Sequence, residues 1–123
     1  MDGYQYTRGL PLKARNTQIA GNLVTIEPNS TVKVCDRYEL GWLTDYSAVY
    51  VAVSWTNSNI DQKVEIRWYN GTNVHLDTEV VIEQSASRKA TGYLEMKGTS
   101  LDLYVTNKQD TAQEVRVYLY GVR

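Results

Sequence analysis

The sequence predicts an all-β fold, namely an antiparallel β-sandwich of the jelly-roll type with about eight strands. Short segments in which apolar and polar residues alternate recur along the chain, and breaks rich in Gly, Asn and Ser separate them. Alternation with a period of two buries one face of a strand, and no segment shows the period of an amphipathic helix. An immunoglobulin-like sandwich of about seven strands is the alternative, although the chain lacks the Cys-Trp-Cys pattern of such domains.

The N-terminal part of the chain differs from the remainder. Residues 1–22 contain the positive charges Arg8, Lys13 and Arg15 and show little alternation. This composition predicts an N-terminal arm that lies along the domain or reaches a neighbouring subunit, and a partly disordered terminus fits it equally well. The remaining residues, 23–123, match the usual size of one domain, so we predict a single β-sandwich there.

Within the sandwich, each predicted strand is bounded by a turn signal or a loss of alternation. Residues 48–56 form the most apolar run, with valines on one face and small residues on the other, which is typical of a central strand. Asn70-Gly71 directly follows residues 63–69, and this dipeptide predicts a tight hairpin turn. Residues 39–46 show no clear period and predict a long loop that caps one end of the core. The predicted strands are residues 23–27, 31–38, 48–56, 63–69, 72–83, 90–97, 101–106 and 114–122.

The last two predicted strands alternate most strictly. One face of each consists of aliphatic residues, which predicts that this face lies in the core. The other faces carry tyrosines among polar residues, since Tyr104 lies between Asp102 and Thr106, and Tyr118 and Tyr120 share the outer face of the final strand. The predicted core residues of these strands are Leu101, Leu103, Val105, Val115, Val117 and Leu119.

Composition and charge argue against several classes of protein. The formal net charge of −1 lacks the basic excess of nucleic-acid-binding domains. No stretch approaches the roughly 20 consecutive apolar residues that insert into a membrane. The N-terminus lacks the features of a signal peptide, and Cys35 is the single cysteine, so both features favour folding in the cytoplasm without disulfides. We expect Cys35 to be a small buried hydrophobe.

No arrangement of residues predicts catalysis or metal binding. His75 is the single histidine and lies on a different predicted strand from Cys35, so a catalytic Cys-His pair is not indicated. Most glutamates of the strands occupy outward positions, where their charges are solvated. One histidine and one cysteine do not make a zinc site, and no Gly-rich phosphate-binding loop occurs. We therefore expect no enzymatic activity, no cofactor and no metal.

The surface tyrosines are the remaining group of candidate functional residues. The chain has ten tyrosines and three tryptophans but no phenylalanine. Both side chains bury a large apolar body and keep a polar atom at a boundary, which suits interfaces and ligand sites. We therefore predict Tyr104, Tyr118 and Tyr120 as ligand-binding or interface residues. The alternative is that these tyrosines form cross-strand pairs that stabilise the sheet, or that the N-terminal arm covers them.

The segments from residue 48 onward carry a family resemblance. They are VYVAVSW (residues 49–55), KVEIRWYNG (63–71) and VRVYLYGV (115–122). In the general pattern of these segments, and without a diagnostic motif, the chain resembles the small β-sandwich domains that end bacteriophage head and tail fibres and related virion proteins. The resemblance implies a structural or host-surface-binding domain that forms a homo-oligomer, with a trimer favoured, and that is displayed on the virion surface after folding in the host cytoplasm.

A carbohydrate-binding module is the competing interpretation. In such modules surface aromatic residues stack on sugar rings. This interpretation predicts a solvent-exposed planar row of Tyr or Trp on one face or rim of a monomer. The fibre interpretation instead predicts that Tyr104, Tyr118 or Tyr120, or the N-terminal arm, is buried between subunits.

Overall fold

A computed structural model describes residues 16–123, and these residues form two four-stranded antiparallel sheets. The prediction of an all-β, eight-stranded jelly-roll sandwich is confirmed. One helical turn, α1, lies between the second and third strands. The bounds are β1 Asn16–Ile26, β2 Ser30–Cys35, α1 Arg37–Leu40, β3 Ala48–Trp55, β4 Gln62–Asn70, β5 Val74–Gln84, β6 Lys89–Glu95, β7 Ser100–Asn107 and β8 Gln113–Val122.

The strand order is that of a jelly roll. Sheet A has the order β1-β8-β3-β6 and sheet B the order β2-β7-β4-β5. Apart from the β4–β5 hairpin, every connection crosses from one sheet to the other. Because the two sheets pack face to face, their inner faces share one core and their outer faces point in opposite directions.

Alternation places the apolar side chains between the sheets, as the sequence predicts. Val49, Val51 and Val53 of β3 are at most 3% exposed. The six predicted inner residues of β7 and β8 are each at most 1% exposed, which confirms their assignment to the core. β3 is the most apolar of the predicted strands, and it lies in the centre of sheet A between β8 and β6, where both of its edges are paired.

Two buried tryptophans are held by hydrogen bonds. Trp55 Nε1 donates to Gln62 Oε1 at 2.8 Å, and Trp68 Nε1 donates to Glu79 Oε1 at 2.8 Å. Gln62 is itself buried and donates through Nε2 to the carbonyl of Ser87. Because an unpaired buried N–H costs about 1–3 kcal/mol, these bonds allow Trp to fill core positions in a chain without phenylalanine.

The first strand begins earlier than the predicted boundary at residue 23. β1 starts at Asn16 and pairs with β8 from Asn16–Val122 to Ile26–Gln113. Residues 16–22 are therefore part of sheet A, because main-chain pairing at a sheet edge needs no apolar alternation. The three positive charges of the predicted arm, Arg8, Lys13 and Arg15, lie outside the described residues.

The hairpin after β4 is longer than the predicted two-residue turn. Asn70 still pairs with Val74, and the turn spans residues 71–73. Gly71 adopts the left-handed region with φ +68°, and its N–H donates to Thr99 Oγ1 at 2.7 Å. This bond connects the turn to the β6–β7 connection. The geometry of the turn therefore depends on a tertiary contact as well as on the Asn-Gly dipeptide.

The predicted loop before β3 contains the helical turn α1. Asp36 caps its N-terminus by accepting a hydrogen bond from Tyr38 N at 2.7 Å, and Gly41 ends it with φ +72°. One turn is too short to produce a helical period in the sequence, which explains why it was not predicted. No helix within residues 16–123 is long and apolar enough to cross a membrane.

Candidate binding site

The outer face of sheet A carries a row of tyrosines. Tyr120 of β8 is the cross-strand neighbour of Tyr50 of β3, and Tyr50 is in turn the neighbour of Tyr93 of β6. Tyr118 lies two residues before Tyr120 on β8, on the same face, and is opposite Ala52 of β3. We refer to the surface formed by Tyr50, Tyr93, Tyr118 and Tyr120 as the tyrosine face.

The tyrosine face is packed at one end and open at the other. The ring centroids of Tyr50 and Tyr120 are 6.1 Å apart with an interplanar angle of 55°, a tilted arrangement within the range of favourable aromatic pairs. These two side chains and Tyr118 are half-buried, whereas Tyr93 is 53% exposed. The most accessible ring of the row therefore lies on the edge strand β6.

A pocket of about 290 Å³ adjoins Tyr118 where β1 borders β8. A bulge between Gln18 and Ala20 brings Gln18 to the same face as Gly21. A Cβ at Gly21 would lie 2.9 Å from Gln18 Nε2 and 3.1 Å from the ring of Tyr118, so these two side chains pack closely over Gly21 and leave no room for a further one. We call this cavity the β1 pocket, and it is lined by Gln18, Gly21, Asn22, Leu23, Arg116 and Tyr118.

The lining of the β1 pocket combines an aromatic ring with polar groups of several kinds. Tyr118, Arg116 and Gln18 have outward positions in sheet A, whereas Asn22 is opposite the inward Val117 and directs its side-chain amide toward β2 of sheet B. The Asn22 side chain is oriented because its Nδ2 donates to the carbonyl of Val34. The lining is therefore more polar than that of a typical small-molecule site.

Two basic residues, Arg116 and Lys89, lie next to the tyrosines on the outer face of sheet A. Arg116 of β8 is opposite Ser54 of β3, and Ser54 is opposite Lys89 of β6. Among residues 16–123, no carboxylate oxygen lies within 4.0 Å of the Arg116 or Lys89 side-chain nitrogens. The next acid along β8, Glu114, accepts a hydrogen bond from Thr56 Oγ1 at 3.2 Å. Two positive charges thus lie beside the tyrosine face without an acidic partner in the described part of the chain.

Tyr104 lies on the other side of the sandwich. It belongs to β7 of sheet B and is half-buried, with the Arg67 guanidinium 5.0 Å and Lys33 Nζ 5.9 Å from its ring centroid. The structure brings Tyr118 and Tyr120 together on the tyrosine face and separates Tyr104 from them. Within one chain, no single surface holds all three predicted residues.

The helical turn α1 is fastened to sheet B by an ion pair. Arg37 Nη1 lies 2.6 Å from Asp102 Oδ2, and the Arg37 main-chain N–H donates to Asp102 Oδ1 at 2.8 Å. The same guanidinium is 3.9 Å from the ring centroid of Tyr69 and 4.6 Å from that of Tyr38. Asp102 is fully buried, although its outward position in the alternation indicates a solvated charge. Because its donors are occupied, Arg37 anchors the loop and offers no free charge to a ligand.

Cys35 and His75 do not approach each other. They lie on the two edge strands of sheet B, with β7 and β4 between them, so the two strands are about 14 Å apart. Cys35 is buried as predicted, and burial raises the pKa of its thiol to about 11. The His75 ring packs against that of Tyr69 at 5.4 Å. In the described part of the chain, no group of three or more His, Cys, Asp or Glu side chains is placed to hold a metal ion.

Sequence reasoning missed two parts of this surface. Alternation places Tyr50 outward, but the sequence does not reveal that Tyr93 and Tyr120 are its neighbours on the flanking strands. The residues of the β1 pocket that precede residue 23, including Gln18 and Gly21, fall within the predicted arm. The combination of Gly21 with a nearby amide-rich stretch is a signal for a pocket only once the pairing of β1 with β8 is known.

The comparison with solved structures finds the same fold in proteins of low sequence identity. A mitogen derived from Yersinia pseudotuberculosis is 17% identical with a TM-score of 0.54, and 85% of each chain is covered. PirA is 14% identical with a TM-score of 0.52, over 80% of this chain and 92% of that chain. Both likenesses show the fold of the chain.

A third similar structure is larger than this chain. It comprises the CBM22-1-GH10 modules of Clostridium thermocellum endo-1,4-β-D-xylanase 10B, complexed with xylohexaose. The identity is 11% and the TM-score 0.51, over 88% of this chain but 26% of that chain. No protein-family model matches the sequence. No curated protein matches it either.

Proposed function

We propose that this chain is a non-enzymatic binding domain and that its tyrosine face, together with the β1 pocket, binds a glycan. The observation that carries the proposal is the row of Tyr120, Tyr50 and Tyr93 across three neighbouring strands of sheet A. Binding through surface aromatics requires such a row on one face. The likeness to a xylanase crystal structure is at low identity and shows the fold alone. The proposal therefore rests on the surface residues of this chain.

The chemistry of the tyrosine face suits a sugar chain. The apolar C–H face of a sugar ring packs on an aromatic ring, and its hydroxyl groups need donors and acceptors close by. Neighbouring strands are about 4.8 Å apart, so the row from Tyr120 to Tyr93 spans about 10 Å. Gln18 of the adjoining pocket adds an amide donor and acceptor. A short oligosaccharide therefore finds both stacking surfaces and hydrogen-bonding partners here.

An oligomeric virion domain is the second candidate function, and the exposed edge of sheet B favours it. Val74, Leu76 and Val80 of the edge strand β5 are 56%, 48% and 47% exposed. Apolar residues on an unpaired edge strand promote association with another chain. In this proposal the protein is a homo-oligomeric, trimeric component of a fibre on the virion surface that attaches to a host.

A glycan array tests the first proposal. The wild-type chain is applied beside Tyr93→Ala, which removes the most exposed ring of the row, and Tyr38→Ala, which removes a ring with a similar exposure of 61% at α1. We expect wild type and Tyr38→Ala to bind the same glycans and Tyr93→Ala to lose most of the signal. Absence of binding by wild type, or equal binding by Tyr93→Ala, contradicts the proposal.

Multi-angle light scattering tests the second proposal. A stable trimer supports the oligomeric virion domain, and a monomer over the accessible concentration range contradicts it. Charged substitutions on β5, such as Val80→Lys, provide the matched variant because they leave the tyrosine face unchanged. If the oligomer forms through this edge, Val80→Lys converts it into a monomer without changing its array profile.

A further inference from the structure

We infer that the β1 pocket selects a sugar residue that carries a carboxylate, such as a uronic or sialic acid. This inference rests on the proposed glycan-binding function and adds the chemical class of the ligand. It follows from the charge of the pocket, the shape of the Arg116 guanidinium and the size of the pocket.

The charge of the pocket comes from Arg116. Arg116 lines the cavity, and among residues 16–123 no carboxylate lies within 4.0 Å of its guanidinium. Arg37 shows the contrast, because it is paired with the buried Asp102. A guanidinium that borders a cavity without an acidic partner is a ready counterion for an anionic ligand.

The shape of the guanidinium favours a carboxylate in particular. Its planar fork of N–H groups matches the two oxygens of a carboxylate, and such charge-assisted bonds are about twice as strong as neutral ones. The Tyr118 ring and the Gln18 amide border the same cavity. One sugar residue is then held by its carboxylate at Arg116, by a hydroxyl at Gln18 and by its apolar face on Tyr118.

The size of the pocket fits one sugar residue. Its volume of about 290 Å³ lies at the lower end of the usual range for ligand pockets, roughly 300–1,000 Å³. Tyr120 lies beside Tyr118 on β8 and begins the row toward Tyr50 and Tyr93. The remaining residues of an oligosaccharide therefore extend from the pocket along the tyrosine face.

The selectivity arises locally, because the chain as a whole carries no basic excess. The formal net charge is −1, so a general attraction for anions does not account for a preference. Lys89 lies on the same level of sheet A as Arg116 and strengthens the positive potential there. Glu95 lies at the far end of this face, opposite Ala48, and Glu114 is engaged by Thr56.

Isothermal titration calorimetry with matched sugars tests the inference. The probes are glucuronic acid against glucose, galacturonic acid against galactose, and 3′-sialyllactose against lactose, each titrated into the full chain. We expect at least one acidic member to bind about tenfold more tightly than its neutral partner, since a hydrogen bond to a charged group is worth about one order of magnitude in affinity. We expect Arg116→Gln to reduce this ratio to about one.

Arg67→Gln is the matched control, because it removes the same charge from the outer face of sheet B. An unchanged ratio in Arg67→Gln supports the inference, and an equal loss in both variants overturns it, because the preference then reflects net charge. A ratio near one in wild type overturns the acidic-sugar inference while the glycan-binding proposal stands. Preference for a sulfated sugar without one for its uronic counterpart also overturns it. Binding of no sugar at all contradicts the proposed function itself.

Discussion

The rings of Tyr50 and Tyr120 lie 6.1 Å apart across the central strands of sheet A. This pair joins strands that are distant in the sequence, and it continues to Tyr93 on the edge. The outer tyrosines thus have two roles that do not conflict. The buried parts of the rings stabilise the sheet, and the exposed parts provide the surface of the proposed glycan site.

We expect Tyr50 and Tyr120 to be energetically coupled. A double-mutant cycle with Tyr50→Ala and Tyr120→Ala should give a coupling of about 0.5–1.5 kcal/mol, the usual value for an aromatic pair. Urea unfolding of the four proteins measures it. The control cycle pairs Tyr50→Ala with Tyr104→Ala on the opposite sheet, where additive effects are expected. Additive effects in the first cycle would show that the two rings do not interact.

Filling the β1 pocket should abolish sugar binding without unfolding the protein. In Gly21→Val the new side chain displaces the Gln18 amide and crowds the Tyr118 ring, so the lining of the pocket changes, and we expect the affinity for the array ligand to fall at least about tenfold. The free energy of unfolding should change by less than about 1.5 kcal/mol, because Val suits a strand and the amide end of Gln18 is able to move. Thr25→Val on the same outer face of β1 is the control and should bind like wild type. Full affinity in Gly21→Val would contradict the location of the site.

The ion pair between Arg37 and Asp102 should be a major contribution to stability. Asp102→Ala leaves the guanidinium without its buried partner, and we expect a loss of about 3–5 kcal/mol in the free energy of unfolding. Glu65→Ala removes the partner of Lys63 from a more exposed pair at 3.7 Å and should cost less than about 1 kcal/mol. Chemical denaturation measures both. Similar losses in the two variants would contradict the buried role of Asp102.

The Cys35 thiol should be unreactive in the native protein at pH 8. Burial raises its pKa to about 11, so the thiol keeps its proton and the thiolate fraction grows only as the pH rises toward that value. Relative to the unfolded chain, we expect the alkylation rate at pH 8 to be at least about 100-fold lower and to increase with pH. The raised pKa also means that the folded state loses stability as the pH rises above the unfolded pKa, relative to Cys35→Ala. Alkylation of native protein at the rate of the denatured chain would contradict the burial of this thiol.

The sequence predicts which residues of each strand face the core, but it does not predict which strands pair with each other. Val115, Val117 and Leu119 alternate strictly and lie in the core, because the period of two is a local property of a strand. The neighbours of Tyr50 depend on pairing between distant segments, which no local pattern encodes.

Asp102 and β1 illustrate two further limits of sequence reasoning. Asp102 has an outward position, but the short turn α1 covers it through Arg37, and one helical turn leaves no periodic signal. Residues 16–22 lack apolar alternation, yet they pair with β8 through their main chain. In both cases a tertiary contact, rather than the local sequence, determines the environment.

The central claim is that a glycan binds on the outer face of sheet A. Amide chemical-shift mapping of the ¹⁵N-labelled chain, titrated with the acidic sugar that binds most tightly in calorimetry, tests it most directly. We expect the largest shifts at Gly21, Arg116 and Tyr118, with smaller shifts at Tyr50 and Tyr93. Largest shifts on sheet B around Tyr104, or at α1, would contradict it.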